Sequence, residues 1–157
     1  MKYKLHKAAH SVYAIHLHIY FVTKYRRKFF TAPMIERMMQ VCQNICQKNK
    51  CEVLEGGAEA DHLHLLIDLH PDNNISQLVK SLKSETSKMI QIEFESEFNA
   101  VYYKTALWGR QKFIVSCGGA PLKIVQEYIK NQASPQHWFA LIPQCLAAQG
   151  DFSLTFG

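Results

Sequence analysis

The chain has 157 residues, of which 48% are hydrophobic and 20% are charged. This length and composition predict one globular domain with a full core and exclude a disordered chain. The formal net charge of +5 favours a polyanionic partner without proving one, and no apolar run reaches membrane-spanning length.

The cysteines indicate a reducing compartment. There are five of them, an odd number, and they form no Cys-x-x-Cys motif. Cys42 and Cys46 share one helix face, and core packing is the favoured interpretation over a zinc site. The basic N-terminus precedes an apolar stretch, but His16 and His18 interrupt it and no cleavage pattern follows. We therefore expect no signal peptide and a cytoplasmic location.

The first predicted strand covers residues 12–22, after a polar lead-in at 1–10. It carries a His-x-His pair, His16 and His18, whose side chains point the same way. The pair is a possible metal site. It is the less favoured of two in the chain, because no acidic residue lies beside it in the sequence.

A basic and aromatic segment follows the first strand. Four cations interleaved with three aromatic rings could grip phosphates and stack bases, or form a solvated charge run whose rings pack on the core. The two interpretations are balanced. The candidate nucleic-acid contacts are Lys24, Tyr25, Arg26, Arg27 and Lys28.

The next predicted elements are a helix and a strand at residues 51–59. Thr31 can cap the helix, and a stripe of methionines and cysteines should face the core. Gly56 and Gly57 resemble a hairpin turn, but we place the turn near Ala60 and Asp61. The two glycines are then expected to mark a bulge or a close backbone approach.

The stretch from Asp61 to Asp68 alternates apolar and polar residues, as a half-buried strand does. His62 and His64 then project side by side from one face, with about 6–7 Å between alternate residues. Two neutral imidazoles on a rigid strand are half of a metal site. A pair of ordinary half-buried histidines is the simpler alternative for an isolated His-x-His.

A second long helix is predicted after residues 71–74, with Asn74 as its cap. Lys80 and Lys83 lie off its apolar stripe, among serines, where they could contact DNA backbone or simply face solvent. Residues 93–104 are predicted to be a connection, and residues 108–117 a strand.

A last helix is predicted at residues 121–133, followed by a tail at 134–157. Tyr128 and Gln132 are four apart and share one helix face. A tyrosine near a divalent cation that binds the same phosphate can attack as it loses its proton. The Gln132 carbonyl could bind that cation and leave open positions for phosphate oxygens, as in a catalytic site.

Five ordered sequence blocks together resemble the HUH endonucleases. The closest resemblance is to the single-tyrosine transposases of the IS-two-hundred/six-hundred-five insertion-sequence group (transposase A type) and their REP-associated relatives. It extends from about residue 10 to 132, with Ala60 in place of a proline often found there. The blocks are Thr23 to Arg27, Asp61 to Leu66, Leu78 to Lys83, Trp108, and Tyr128 with Gln132.

The resemblance implies an α+β fold, a ferredoxin-like antiparallel sheet with helices packed on one face, plus a C-terminal helix carrying the nucleophile. It implies one domain over residues 1–157, with a core at about 10–133. His62, His64 and Gln132 would bind a divalent metal ion, Mg²⁺ or Mn²⁺. Tyr128 would attack single-stranded DNA beside hairpins and form a 5′-phosphotyrosine.

The family also forms dimers, and the resemblance implies that the Tyr128 helix could be exchanged between subunits of a homodimer. Gly118 and Gly119 are suited to a hinge for that exchange, although a plain helix-start turn explains them too. Two other hypotheses remain. One is a non-catalytic protein that binds single-stranded nucleic-acid hairpins on this fold, and the other is an unrelated metal enzyme or structural dimer.

Overall fold

The computed structural model describes residues 5–103 and 105–116, which form six strands and three helices. A short 3₁₀ turn at Lys24–Arg26 follows the third strand. The elements in chain order are β1 (His6–Ala8), β2 (Ser11–Tyr13), β3 (His16–Thr23), α1 (Ala32–Lys48), β4 (Glu52–Glu59), β5 (His62–Asp68), α2 (Ile75–Glu93), α3 (Glu95–Tyr102) and β6 (Trp108–Ser116).

Four of the strands form one antiparallel sheet in the order β4-β5-β3-β6, and β1 pairs separately with β2. The two central strands are β3 and β5. Along the chain, α1 comes after β3 and α2 comes after β5. This alternation and strand order confirm the predicted α+β, ferredoxin-like sheet.

The sheet has two chemically different faces. Residues directly opposite each other on antiparallel strands share a face, and successive residues alternate between faces. Ile19, Phe21 and Leu65 belong to the core that the helices cover. Tyr20 is opposite His64 on the other face. The helices therefore pack on one side, and the histidines of β3 and β5 occupy the reverse side.

The two long helices begin and pack largely as predicted. Asn74 caps α2, because its side-chain oxygen accepts a hydrogen bond from Gln77 N at 3.1 Å. Thr31 occupies the N-cap position of α1, but its side chain makes no capping hydrogen bond. Cys42 and Cys46 are buried in the core on α1, as predicted.

The 93–104 segment was predicted to be a connection, and this prediction is wrong. Residues Glu95–Tyr102 form α3. Phe98 and Tyr102 are four residues apart, stack with 5.4 Å between ring centroids, and are buried. Tertiary packing of these two rings stabilises a short helix whose acidic, polar sequence gives little local indication of one.

The predicted first strand is also interrupted. Residues 12–22 divide between β2 and β3, and the supposed lead-in contributes β1. The β1–β2 hairpin has a contact distant in sequence, since His6 Nε2 lies 2.6 Å from Asp68 Oδ2 on β5. This bond holds the β1–β2 hairpin against the end of the main sheet.

The hairpin between β4 and β5 turns at Ala60 and Asp61, as predicted. Gly56 and Gly57 mark close approaches, whereas the register shift lies earlier, between Val53 and Glu55. A side chain at Gly56 would meet Met39 on the helix side of the sheet.

The predicted last helix (121–133), the hinge glycines and the tail (134–157) lie outside the described residues. Within the part of the chain that is described, every helix is too short or too polar to cross a membrane.

Candidate metal half-site and nucleic-acid surfaces

His62 and His64 lie side by side on the central strand β5. Their ring centroids are 6.0 Å apart and the rings are tilted by 35°. Both side chains are almost fully buried, 2% and 5% exposed respectively. The strand geometry predicted from the alternating sequence is confirmed, and the two imidazoles are held by a sheet that is paired on both sides.

Asp61 fixes the ring of His62. Its Oδ1 lies 2.8 Å from His62 Nδ1. Burial opposes ionisation of Asp61, but hydrogen bonds from His62 and Arg26 outweigh it and hold the pKa of the carboxyl below its usual range. An ionised carboxylate only accepts hydrogen bonds, so Nδ1 of His62 carries the proton. In a neutral imidazole held this way, the lone pair lies on Nε2, where a ligand can bind.

His64 is held in its neutral form. Burial, followed by the charge of His62, lowers the pKa of His64 to about 4. Its Nδ1 is buried and has no hydrogen-bond partner among the described residues. Gly57 lies directly opposite on β4, and a Cβ there would be 2.9 Å from His64 Nε2. The absence of a side chain at Gly57 makes room for this ring.

The second His-x-His pair lies on the same face as the first. His18 and His64 are 6.2 Å apart between centroids and nearly perpendicular, and burial, with His64, lowers the pKa of His18 to about 3. The argument that no acidic residue lies beside the pair is wrong in three dimensions, since His16 Nε2 is 4.0 Å from Asp68 Oδ1.

This convergence does not produce a complete metal site from the described residues. No three His, Cys, Asp or Glu side chains within 5–103 and 105–116 are grouped so as to hold an ion. His62 and His64 therefore supply two nitrogen ligands at most. Tyr128 and Gln132, predicted to complete the site, lie outside the described residues, and their roles stay predictions.

Tyr20 of β3 is a tyrosine that lies beside the histidine pair and is an alternative nucleophile in principle. Its ring centroid is 5.0 Å from that of His62. Burial raises the pKa of Tyr20 to about 12, against the pull of the Arg26 guanidinium. A phenol that is so difficult to ionise is a poor nucleophile, although it lies near the site.

The basic loop after β3 is partly engaged in contacts within the chain. Arg26 Nη2 and Nε lie 3.2 and 3.3 Å from Asp61 Oδ2. Arg27 donates to the carbonyl of Val101 and lies over the ring of Tyr102. The Tyr25 ring is 71% exposed and has Lys24 Nζ 5.2 Å from its centroid, and Lys28 is exposed. Tyr25, Lys24 and Lys28 thus remain accessible to a nucleic acid.

A second basic surface lies between α2 and β6, in a groove of about 560 Å³. Lys80 is exposed there, whereas Lys83 is half-buried and donates from Nζ to the carbonyl of Gly109 at 2.7 Å. Burial, followed by Lys112, lowers the pKa of Lys83. Arg110 and Lys112 of β6 add two cations that the sequence analysis missed. The charged residues of this groove are Lys80, Lys83, Arg110 and Lys112.

The groove and the histidines lie on different sides of the sheet. Lys112 is opposite Phe21, a core residue on the helix side. The basic loop, by contrast, is joined to the histidine strand, because Thr23 N donates to Asp61 O at 2.9 Å.

Comparisons with known proteins agree with this architecture. The family described as "Transposase IS200 like" matches residues 11–132. The transposase for insertion sequence element IS200 of Salmonella typhimurium is 29% identical over 124 residues, which are 79% of this chain and 80% of that protein. The ISDra2 transposase TnpA of Deinococcus radiodurans is 23% identical over 121 residues, 77% of this chain and 86% of that protein.

Two solved structures share the fold. One is a crystal structure from Deinococcus radiodurans R1 of a protein assigned as a transposase, with a TM-score of 0.66, 23% identity and coverage of 81% of this chain and 97% of that chain. The other is a REP-associated tyrosine transposase bound to a REP hairpin, with a TM-score of 0.54, 9% identity and coverage of 88% and 73%. Since the family match spans most of the sequence, the chain belongs to the IS200-like transposases.

Proposed function

We propose that the chain cuts and rejoins single-stranded DNA beside hairpins, with Tyr128 as nucleophile and a divalent ion held by His62, His64 and Gln132. The observation that carries this proposal is the paired, buried arrangement of His62 and His64 on one face of β5. The family membership supports a transposase, and the hairpin is proposed because one structural neighbour binds a REP hairpin.

The histidines fit a metal in their chemistry as well as their placement. A ligating imidazole must be neutral, and burial keeps His64 so by lowering its pKa. His64 Nδ1 is a buried polar atom without a hydrogen-bond partner among the described residues, and such an atom is costly unless something satisfies it. Because His62 directs Nδ1 at Asp61, Nε2 is the ring nitrogen that is left for a metal ion. A bound divalent ion would polarise the scissile phosphate and stabilise its developing charge.

The proposed reaction retains the energy of the cleaved phosphodiester bond in a covalent phosphotyrosine. The Tyr128 oxygen attacks the phosphorus as the phenolic proton leaves to solvent, the bond between phosphorus and the 3′ oxygen breaks, and that oxygen takes up a proton from solvent. A 5′-phosphotyrosine and a free 3′-hydroxyl result. A later 3′-hydroxyl can attack the phosphotyrosine, which restores the phenol and joins two strands without ATP.

Two surfaces are proposed to hold the DNA. The Lys24–Lys28 loop carries the exposed Tyr25 ring, which could stack on an unpaired base. The groove between α2 and β6 carries four cations and several serines, which suit phosphate contacts. A homodimer with exchanged Tyr128 helices, hinged at Gly118 and Gly119, is part of the proposal.

A covalent-adduct assay tests the nucleophile. Labelled single-stranded DNA with a hairpin is incubated with the protein and Mn²⁺, then separated on a denaturing gel. Tyr128→Phe should abolish the adduct, and His62→Ala or His64→Ala should reduce it strongly. Tyr20→Phe is the matched control and should retain the adduct, because burial keeps the Tyr20 phenol protonated.

The outcomes separate the hypotheses. An adduct that persists in Tyr128→Phe and disappears in Tyr20→Phe would transfer the nucleophile to the β3 tyrosine. Hairpin binding by the wild type without any adduct, in Mn²⁺ or Mg²⁺, would instead support the non-catalytic hairpin-binding protein.

A further inference from the structure

We propose that Asp61 and Arg26 act as a positioning pair that fixes the tautomer and ring orientation of His62. The inference rests on the proposed metal-binding role of His62 and goes beyond it. The Asp61 carboxylate uses one oxygen for each partner. Oδ1 lies 2.8 Å from His62 Nδ1, and Oδ2 lies 3.2 Å from Arg26 Nη2.

The backbone around Asp61 is held from both ends of the basic loop. Thr23 N donates to Asp61 O at 2.9 Å. Phe29 N and Phe30 N both donate to Ala60 O, at 2.6 and 3.0 Å. The turn between β4 and β5 is thereby fastened to the segment that enters the loop and to the segment that leaves it.

Arg26 reaches Asp61 from an uncommon backbone conformation. Its φ is 53° and that of Tyr25 is 62°, both in the left-handed region that non-glycine residues rarely adopt. Such conformations persist where surrounding contacts determine them, and they concentrate at functional sites. Here the left-handed turn coincides with both guanidinium contacts to Asp61, through Nε and Nη2.

A contribution to folding stability does not account for the Arg26–Asp61 ion pair. The Arg26 side chain is 47% exposed, and exposed ion pairs contribute little to stability. Its effect on Asp61 is different, since an anchored carboxylate holds the His62 imidazole in one rotational state with Nε2 unprotonated. A metal ligand needs both conditions, and outer carboxylates of this kind commonly change metal affinity by about 10–100-fold.

The same contacts connect the basic loop to the proposed metal site. The Arg26 guanidinium is directed at Asp61 and is therefore assigned to the site, whereas Tyr25, Lys24 and Lys28 remain for DNA. Movement of the loop on DNA binding would act on His62 through one side chain and one backbone hydrogen bond.

Titration calorimetry with Mn²⁺ on the full chain tests the pair. Asp61→Ala should weaken Mn²⁺ binding by about 10–100-fold, and Asp61→Asn should weaken it less, because the amide oxygen still accepts from His62. Arg26→Ala should cause a severalfold loss. Asp68→Asn is the matched control, since Asp68 is also buried and bonded to a histidine, and its affinity should equal the wild type.

A second measurement avoids both metal and activity. Nitrogen-15 NMR of the metal-free wild type should show His62 protonated at Nδ1 and not at Nε2, and Asp61→Ala should populate both tautomers. Protonation at Nε2 in the wild type overturns the inference even if Asp61→Ala does not fold.

Each failure has its own signature. Native Mn²⁺ affinity in Asp61→Ala, with binding lost in His62→Ala, rejects the positioning role and leaves the metal site intact. Native affinity in Arg26→Ala removes Arg26 from the pair. Native affinity in His62→Ala rejects the metal-binding role in the proposed function, and the NMR result then decides the Asp61 contact by itself.

Discussion

Replacing Gly57 by alanine adds a methyl group at the edge of the His64 ring. That carbon would lie 2.9 Å from His64 Nε2 and 3.0 Å from Cε1. Ordinary van der Waals contact begins at 3.4 Å, so the ring or the strand must shift by roughly 0.5 Å. A shift of this size equals the positional tolerance of a functional group in a binding site.

The His64 ring has little space for that shift. It is 5% exposed, and its neighbours His62 and His18 lie 6.0 and 6.2 Å away between centroids. We therefore expect Gly57→Ala to weaken Mn²⁺ binding at least about tenfold, or about 1.4 kcal/mol. Stability should also fall, because the methyl group clashes with a buried ring; restriction of the unfolded chain by alanine offsets only about 0.4–1 kcal/mol of that cost.

Calorimetric Mn²⁺ titration and thermal unfolding, measured on the same samples, separate these two effects. Gly56→Ala is the matched control. Its methyl group would meet the flexible end of Met39 at 2.4 Å, on the helix side of the sheet. It should change Tm without changing Mn²⁺ affinity. A folded Gly57→Ala variant with native Mn²⁺ affinity would refute the placement of His64 as a ligand.

Two further predictions concern protons and salt. The free energy of unfolding should fall as the pH is lowered from 6.5 toward 4. Burial lowers the pKa values of His64 and His18 in the folded chain to about 4 and about 3. In this pH range the unfolded chain therefore binds protons that the folded chain excludes. Urea titrations should show a slope of up to about 1.4 kcal/mol per pH unit for each histidine, and a flat profile would contradict the buried neutral state. Arg110→Ala should reduce the salt slope of hairpin binding by about 1 with little change in Tm, whereas Lys83→Ala should lower Tm through loss of its bond to Gly109 O. Hairpin binding is measured from about 50 to 200 mM salt. If the salt dependence of binding is the same for Arg110→Ala and the wild type, the groove is not part of the DNA-binding surface.

The features that the sequence predicted correctly depend on local rules. Strand alternation places His62 and His64 on one face, and the Asn74 cap needs only a polar side chain three residues before its partner. The turn at Ala60 and Asp61 follows from the length of the two adjoining strands. Each of these interpretations uses residues within one element or its nearest neighbour.

The features that the sequence did not predict depend on contacts between distant elements. The register of β3 against β5 brings His18 to His64, and no local pattern specifies that register. The same holds for His6 with Asp68, 62 residues apart, and for Arg26 with Asp61, 35 residues apart. Side chains that position other side chains are therefore the part of a site that sequence reasoning is most prone to miss.

The division of the sheet into two faces separates the proposed tasks. Helices cover the face that carries Phe21, and this packing keeps the central strands rigid. The reverse face carries the buried His18 and His64. Their lowered pKa values keep the imidazoles neutral, as metal ligands must be. A groove cation such as Lys112 is on the helix side and cannot touch His62, whereas the basic loop is bonded to Asp61 beside it. Charge changes in the groove should therefore alter DNA affinity alone, whereas a change at Arg26 of the loop should alter the chemistry at the histidines.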